Sequence, residues 1–316
     1  MKPENSNITI NPLQKGNKVA IAATARKVSE AEMADAVTLL KSWGLEVVYA
    51  QGLFEQENQF AGSDAHRVHS FQLVMDDPEI KAIFCARGGY GTVRMIDALD
   101  FTGLLKSPKW IVGFSDVTVI QCHLLKNFSY PTLHGPMAFN FTKEKADAES
   151  IESLRKTLFG EPYSMVFARH ELNQKEQNIS GILCGGNLSV LYSVLGSVSD
   201  MDTSDKILFI EDLDEYLYHI DRMMQAMKRA GKLNKLKALI VGDMGDMKDN
   251  AIPFGKTAYE IIADTVKDYD YPVIFGAPCG HERRNLSLVF GVEYEMKVDD
   301  KNVLLSLLNN PSASYQ

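Results

Sequence analysis

The stretch KWIVGFSDVTVIQCHLL, residues 109–125, decides the fold because it carries a short apolar strand directly into a helix. WIVGF (110–114) is the apolar run, and the residues after Ser115 place apolar side chains at helical spacing. Strands that pass into helices are typical of parallel sheets, which need helical crossovers. Two interpretations of Ser115 stay open at this point: a helix cap that accepts from the N–H of Thr118, or a nucleophile.

The residues upstream repeat this alternation of strand and helix. Apolar runs predict strands, and helical spacing predicts helices between them, the first flanked by Ser29 as N-cap and Gly44 as C-cap. This pattern favours a parallel sheet covered by helices on both faces. The predicted strands are 17–25, 45–50 and 81–86, and the predicted helices are 29–44, 63–77 and 91–100.

The second half of the chain predicts a smaller mixed α/β domain. Its strands are expected at 206–210, 237–244 and 272–276, and its helices at 216–231 and 256–269. The tail 286–308 alternates apolar and polar residues around VDDKN, which indicates an antiparallel hairpin. We therefore expect an N-terminal α/β domain, an inter-domain crossing and a C-terminal domain with antiparallel strands, at 1–145, 146–180 and 181–316.

Composition limits the classes of partner. The chain has 316 residues, of which 45% are hydrophobic and 23% charged, as in ordinary globular proteins. Its net charge of -8 argues against nucleic-acid binding, so small molecules or peptides are the expected partners. The first sixteen residues contain no apolar signal region, and no run approaches the roughly 18 apolar residues of a membrane span. We expect a cytoplasmic protein that does not bind membranes.

The four cysteines are scattered through the chain. None forms a CxxC pair, and no histidine stands at metal-ligand spacing. Each lies in or beside an apolar segment, so we expect buried, reduced thiols and no metal site. The residues are Cys85, Cys122, Cys184 and Cys279.

Ligands of open α/β sheets bind at the carboxyl ends of the strands, so the residues there are candidates for function. The first candidate segment is ARGGYGTVR (86–94). Gly88, Gly89 and Gly91 would let backbone N–H groups approach a phosphate or an oxyanion, or would simply form a turn. Arg87 could bind a carboxylate or pair with a surface acid.

The second candidate is Gly113-Phe114-Ser115-Asp116, which partly matches a nucleophile elbow. Val117 replaces the second glycine of the usual GxSxG pattern. The motif alone does not decide between a cap and a nucleophile.

Three further strand ends carry an acid and two histidines. His134 and His281 lie in loops that contain glycine and proline, where either could be structural or a base. Glu211 directly follows the strand ILFI, and for that reason it is preferred over Asp212 and Glu215 as a carboxylate that orients a histidine. A serine nucleophile needs such a base, and the base needs such an acid.

Taken together, the chain resembles the LD-carboxypeptidases, a family that includes murein tetrapeptide carboxypeptidases and microcin C immunity proteins. The motifs that carry the resemblance span nearly the whole chain: FAGSDAHR (60–67), ARGGYGTVRMID (86–97), GFSDVT (113–118), LHGPM (133–137), GGNLSVL (185–191), ILFIEDLDEYLYHIDRMM (207–224) and GHERRNLSLVFG (280–291).

The resemblance implies a two-domain serine peptidase with a flavodoxin-like N-terminal domain and an active site in the cleft between the domains. Ser115 would be the nucleophile, His281 the general base and then acid, and Glu211 the residue that orients His281. Gly89 and Asp116 would donate backbone N–H groups to the oxyanion. The implied mechanism needs no metal or cofactor.

The resemblance also implies a reaction, the hydrolysis of the bond between the L-centre of the diamino acid and the terminal D-alanine of cytoplasmic murein tetrapeptides during cell-wall recycling. It further implies a homodimer. On chemical grounds Arg87 is a candidate for the substrate's terminal carboxylate, and Gly88 and His134 are further candidate substrate-binding residues.

Two departures from the family pattern leave the substrate preference open. Residues 22–25 read Ala-Ala-Thr-Ala where an Ala-Pro-Ser type turn is common, and Arg284 replaces a proline. One alternative is an immunity-type hydrolase that cleaves a peptidyl or aminoacyl nucleotide. It would favour an aromatic side chain at the cleft, whereas Trp43 and Trp110 lie outside the expected loops. Another is a non-catalytic protein that binds small ligands between two domains.

Overall fold

The computed structural model describes residues 8–142, 144–173 and 177–308. The outer ends of the predicted domains, at 1–7 and 309–316, and part of the predicted crossing, at 174–176, lie outside the described residues. The described chain forms one six-stranded and one seven-stranded sheet.

The N-terminal region contributes five parallel strands to the first sheet. Their order, β2-β1-β3-β4-β5, is that of flavodoxin-like folds, so the predicted α/β class and parallel sheet are confirmed. The elements are β1 Lys18–Ala22, α1 Glu30–Ser42, β2 Glu46–Tyr49, α2 Asp64–Asp76, β3 Ile80–Cys85, α3 Thr102–Lys106, β4 Trp110–Val112, α4 Thr118–Phe128 and β5 Thr132–His134.

The segment predicted as a helix over 91–100 is different in the structure. It forms two short 3-10 turns, Thr92–Arg94 and Ile96–Ala98. The carboxylate of Asp116 accepts hydrogen bonds from both the N–H and the hydroxyl of Thr92. This long-range tether fixes the first turn, and a local apolar pattern cannot reveal it.

The second sheet is mixed, as predicted. Strands β7 to β10 are parallel, and β12, β13 and β6 add antiparallel pairs in the order β10-β9-β8-β7-β12-β13-β6. The elements are α5 Ala148–Leu158, β6 Ser164–Ala168, β7 Gln177–Asn187, α6 Leu188–Ser193, β8 Lys206–Leu213, α7 Leu217–Arg229, β9 Ala238–Gly245, α8 Ala258–Val266, β10 Val273–Phe275, β11 Leu288–Phe290, β12 Glu293–Val298 and β13 Asn302–Leu307.

The two halves of the chain exchange elements. Within the predicted crossing, α5 buries Leu154 and Leu158 in the core of the first sheet, whereas β6 pairs with β13 in the second. Strand β11 comes from the C-terminal half but pairs antiparallel with β5. The N-terminal and C-terminal halves of the chain are therefore joined by strand pairing within the first sheet as well as by the chain.

The predicted hairpin is present as β12 and β13. In its turn the Asp299 carboxylate accepts hydrogen bonds from the N–H groups of Lys301 and Asn302. Within the described ranges, no helix has both the length and the apolar character needed to cross a membrane.

The contact between β7 and β8 depends on a glycine. Gly185 has φ +138°, and a Cβ there would fall 1.9 Å from the carbonyl oxygen of Phe209. Gly196 also has a positive φ, +75°, but a Cβ there would meet nothing within 4 Å. Comparing substitutions at these two glycines therefore distinguishes the cost of backbone strain from the cost of steric crowding.

We expect Gly185→Ala to lower the free energy of unfolding by about 2–5 kcal/mol, because it adds both strain and displacement of the neighbouring strand. Gly196→Ala should lower it by about 1–2 kcal/mol, from strain alone. Urea unfolding of both variants measures the difference. Equal losses would show that β7 and β8 can separate without cost.

Candidate active site

Ser115 lies on a sharp turn between β4 and α4. Its φ is +61°, a conformation that costs a non-glycine residue about 1–3 kcal/mol and often marks functional sites. The turn is tight enough that a Cβ on Gly113 would lie 2.9 Å from Val117. Val117 itself has φ -65°, an ordinary helical conformation that does not require the second glycine of the elbow pattern. The backbone thus holds Ser115 at the carboxyl end of the sheet.

The Ser115 side chain does not cap the helix, because the helix begins without a side-chain cap bond. Its Oγ lies 3.1 Å from Nε2 of His281, and Nδ1 of His281 lies 2.7 Å from Oε2 of Glu211. When Nδ1–H donates to the carboxylate, Nε2 is left as the acceptor for the serine hydroxyl. The structure therefore brings the predicted serine, histidine and acid into one hydrogen-bond chain.

Glu211 is fully buried and lies at an irregularity of β8. The register between β8 and β9 shifts between Ile210 and Asp212, and such bulges turn a side chain away from the regular strand direction. The two rival acids have other partners. Asp212 accepts from Asn187 Nδ2, whereas Glu215 lies 2.6 Å from Nδ1 of His219.

The pKa of His281 is raised above its usual 6.5 by competing effects. Burial is the largest single effect and lowers the pKa. The charge of Glu211 and its hydrogen bond raise the pKa, as do the nearby Asp212 and Asp243, and together they prevail. The imidazolium is therefore stabilised where the imidazole contacts Ser115.

A tight loop brings His281 to Glu211. Gly280 has φ +143°, and a Cβ there would lie 3.1 Å from Glu211 Oε2 and 3.0 Å from Asp243 Cβ. Burial raises the pKa of Asp243 to about 7, and burial likewise raises that of Asp212 to about 7. The sequence indicates Asp212 only as a rival to Glu211 and does not single out Asp243, although Asp243 lies near the end of the apolar run at 237–244.

The glycine-rich loop packs directly on the serine. A Cβ on Gly88 would lie 3.1 Å from Ser115 Cβ, and Gly89 has φ +114°. The loop is tied to the elbow by Asp116, whose Oδ2 accepts from Thr92 N–H at 2.9 Å and Thr92 Oγ1 at 2.7 Å. Burial raises the pKa of Asp116, against the opposing effect of these hydrogen bonds.

A cleft of about 510 Å³ opens over these residues. Charged, polar, aromatic and aliphatic residues from both halves of the chain line it. They come from Arg26, Arg87, Gly88, Gly89, Phe114, Ser115, Asp116, Met137, Phe139, Asn140, Asn187, Ser189, Val190, Asp212, Leu213, Asp214 and His281.

His134, a predicted substrate-binding residue, does not line this cleft. It is fully buried, and its ring packs against Phe114, Phe209 and Phe290 at centroid distances of 5.2–5.7 Å. Burial lowers the pKa of His134 to about 4. Because the ring lies in the core beneath the cleft, the predicted role of His134 in substrate binding has no contact with the cleft to support it and stays a prediction.

Arg87 and Arg284 are both engaged in protein contacts. The Arg87 guanidinium lies 4.1 Å from the centroid of the Phe139 ring and 3.6 Å from Oε1 of Glu32. Arg284, where the family pattern has proline, binds the Glu149 carboxylate of α5. Among the described residues, no group of three or more His, Cys, Asp or Glu side chains could hold a metal ion.

The origin of the raised pKa of His281 can be tested by substitution. In Glu211→Gln the charge is lost while burial remains, so the pKa of His281 should fall below its wild-type value, which we expect above 6.5. NMR titration of histidine-labelled protein measures this pKa, with His281→Gln used for assignment. Asp246→Asn, an exposed carboxylate outside the cleft, is the control. An unchanged or higher pKa in Glu211→Gln would contradict the assignment.

Models of one protein family match both halves of the chain. The model of the LD-carboxypeptidase N-terminal domain matches residues 19–135, and that of the LD-carboxypeptidase C-terminal domain matches 180–296. A Bacillus subtilis (strain 168) protein named "Probable murein peptide carboxypeptidase" is 30% identical over 307 residues, 93% of this chain and 92% of that protein.

Two other proteins extend the comparison. The crystal structure of muramoyltetrapeptide carboxypeptidase from Oxalobacter formigenes matches with a TM-score of 0.84 at 29% identity, over 92% of this chain and 99% of that chain. The microcin C7 self-immunity protein MccF of Escherichia coli is 23% identical over 302 residues, 85% of this chain and 86% of that protein. The chain belongs to the LD-carboxypeptidase family of serine-type peptidases.

Proposed function

We propose that this protein is a serine carboxypeptidase that hydrolyses the LD-peptide bond before the terminal D-alanine of murein tetrapeptides, in cell-wall recycling. The observation that carries the proposal is the hydrogen-bond chain from Glu211 through His281 to Ser115 at the floor of the cleft. The names of the Bacillus and Oxalobacter relatives support the substrate class.

In the first step Ser115 Oγ attacks the carbonyl carbon of the scissile amide. His281 Nε2, at 3.1 Å, takes the hydroxyl proton as the bond forms. Glu211, at 2.7 Å from Nδ1, holds the imidazole in the tautomer that leaves Nε2 free and stabilises the imidazolium that results. The same three groups thus position and activate the nucleophile.

The negative charge on the tetrahedral intermediate is assigned to the backbone N–H groups of Gly89 and Asp116. Asp116 follows the nucleophile directly, as in other elbow sites, and Gly89 belongs to the loop that packs on Ser115. The Asp116 carboxylate ties this loop to the elbow through Thr92, so both donors are held before substrate binds. Preorganised donors of this type typically contribute about 10²- to 10³-fold in rate.

The leaving D-alanine receives the proton from His281, and its amine departs. Water then attacks the acyl-enzyme, with His281 taking a proton from the water and returning it to Ser115 Oγ. The products are D-alanine and the shortened peptide, and the enzyme is regenerated.

The murein substrate has more structural support than a peptidyl nucleotide. Trp110 is fully buried in β4, and Trp43 packs against Phe141 and Phe159, so neither is available to stack on a base in the cleft. The cleft ring of Phe139 is itself covered by the Arg87 and Lys145 cations.

Release of D-alanine from a defined murein tetrapeptide, followed by mass spectrometry, tests the function. We expect cleavage of the tetrapeptide but not of a pentapeptide or of an all-L control. Ser115→Ala should reduce kcat by about 10⁶-fold, the loss typical of removing a serine nucleophile, while tetrapeptide binding persists.

Ser193→Ala is the matched control, because its exposed hydroxyl donates to its own helix at Val190 and lies outside the cleft. Tetrapeptide binding without turnover in the wild type would favour a non-catalytic binding protein. Cleavage of the all-L control alone would refute the LD specificity.

We also propose that the protein acts in the cytoplasm as a homodimer, as the family resemblance implies. The buried, unpaired thiols of the four cysteines are compatible with a reducing compartment. Light scattering coupled to size-exclusion chromatography should give twice the chain mass of 35.2 kDa. A single-chain mass at micromolar concentration would contradict the dimer.

A further inference from the structure

Arg26 is the charged residue of the cleft that has no counter-charge or polar partner within the described part of the chain. For its side chain, the described residues supply no hydrogen bond and no ion pair. Every other charged side chain in the lining has one: Arg87 with Glu32, Asp214 with Lys248, His281 with Glu211, Asp212 with Asn187 and Asp116 with Thr92. An unpaired cation in a site for anionic peptides is available to a ligand.

The Arg26 side chain lies across the glycine-rich loop next to Ser115. A Cβ on Gly89 would fall 2.6–2.7 Å from Cγ, Cδ and Nε of Arg26. Only a glycine at position 89 allows this approach. The guanidinium therefore lies beside the residue whose N–H is assigned to the oxyanion.

The backbone that carries Arg26 is anchored on both sides. Ala61 N–H donates to the carbonyl of Ala25, and Lys27 N–H donates to that of Gln59. Arg26 itself forms an isolated bridge with Phe60. The exposed side chain therefore projects from a fixed point at the rim of the cleft.

Substrate chemistry places a carboxylate close to this point. In a C-terminal amino acid only three covalent bonds, or less than about 4 Å, separate the scissile carbonyl carbon from the terminal carboxylate carbon. A cation that binds this carboxylate must therefore lie within a few ångströms of the oxyanion site. A guanidinium also matches a carboxylate with two parallel N–H donors.

We propose that Arg26 binds the terminal carboxylate of the departing D-alanine and thereby makes the enzyme select peptides with a free C-terminus. The proposal rests on the carboxypeptidase function above. Arg87, the cation indicated by the sequence, is held between the Phe139 ring and Glu32, so its charge is already shared. Arg26 is the specificity-determining residue, and Arg87 supports the wall of the cleft.

The test compares a murein tetrapeptide that has a free terminal carboxylate with the same peptide as its C-terminal carboxamide. Wild type should prefer the acid by about 10- to 100-fold in kcat/KM, the usual effect of a hydrogen bond to a charged group. Arg26→Met keeps the aliphatic stem over Gly89 but removes the charge. This variant should lose the preference, because its kcat/KM should fall for the acid and stay unchanged for the carboxamide.

Three further variants sharpen the result. Arg26→Lys should keep part of the acid preference, because a point charge replaces the bidentate donor. Arg87→Met should keep the wild-type ratio of acid to amide, whatever its effect on overall rate. Arg229→Met removes an exposed positive charge at the far end of α7 and controls for the change in net charge.

The inference is overturned if Arg26→Met keeps the wild-type ratio, or if Arg87→Met alone abolishes it. In either case, wild-type release of D-alanine from the acid leaves the carboxypeptidase function intact. If wild type cleaves neither peptide, both the function and the role of Arg26 are refuted.

Discussion

The buried carboxylate of Glu211 is the constraint around which the site is built. A carboxylate taken out of water destabilises a fold by several kcal/mol unless a partner compensates it, and here the partner is Nδ1 of His281 at 2.7 Å. To bring the imidazole this close, the chain after β10 must approach β9. Gly242 permits this approach, since a Cβ there would lie 2.3 Å from the carbonyl oxygen of Cys279. The close approach of β9 to the segment after β10 is thus linked to the hydrogen bond between Glu211 and His281.

The same histidine must also reach a serine that belongs to the other sheet. Two contacts fix the sheets to one another near this point. Asn187 N–H donates to Thr118 Oγ1 at 3.1 Å, and Gly186 leaves room for the Thr118 side chain, which would lie 2.5 Å from a Cβ at 186. Because Thr118 begins α4 directly after the elbow, this contact positions Ser115 relative to β7. The site is therefore held by regular elements, as precise catalytic geometry requires.

Much of the architecture could be predicted from sequence because it is local. Alternating apolar runs and helical patterns identify the parallel strands. Their positions at strand ends make Ser115, Glu211 and His281 candidates, and the family resemblance assigns their roles. Long-range contacts account for the differences between the predicted and the observed structure. The pairing of β11 with β5 and the tether from Asp116 to Thr92 join residues far apart in the chain, so no local pattern reveals them.

Burial and packing explain the remaining differences between the predicted and the observed site. A histidine before Gly-Pro can face a cleft or a core, and only packing shows that His134 contacts three phenylalanine rings under the site. The two arginines next to the glycine-rich loop cannot be ranked from sequence either. They differ in the partners that other elements supply. Arg87 contacts Glu32 of α1 and the ring of Phe139, whereas the described residues supply no hydrogen bond or ion pair to Arg26.

The turn after β1 shows how a departure from the family pattern can support the same chemistry. In place of an Ala-Pro-Ser type turn, the chain supplies Thr24 and Arg26. The Thr24 hydroxyl lies 2.9 Å from the Thr92 hydroxyl, which donates to Asp116, so the turn stabilises the far end of the glycine-rich loop. Arg26 covers the near end at Gly89. One turn therefore contacts the loop at both ends. If Gly89 donates to the oxyanion as proposed above, its N–H is in position before charge develops on the substrate, and that is the condition under which such donors act most strongly.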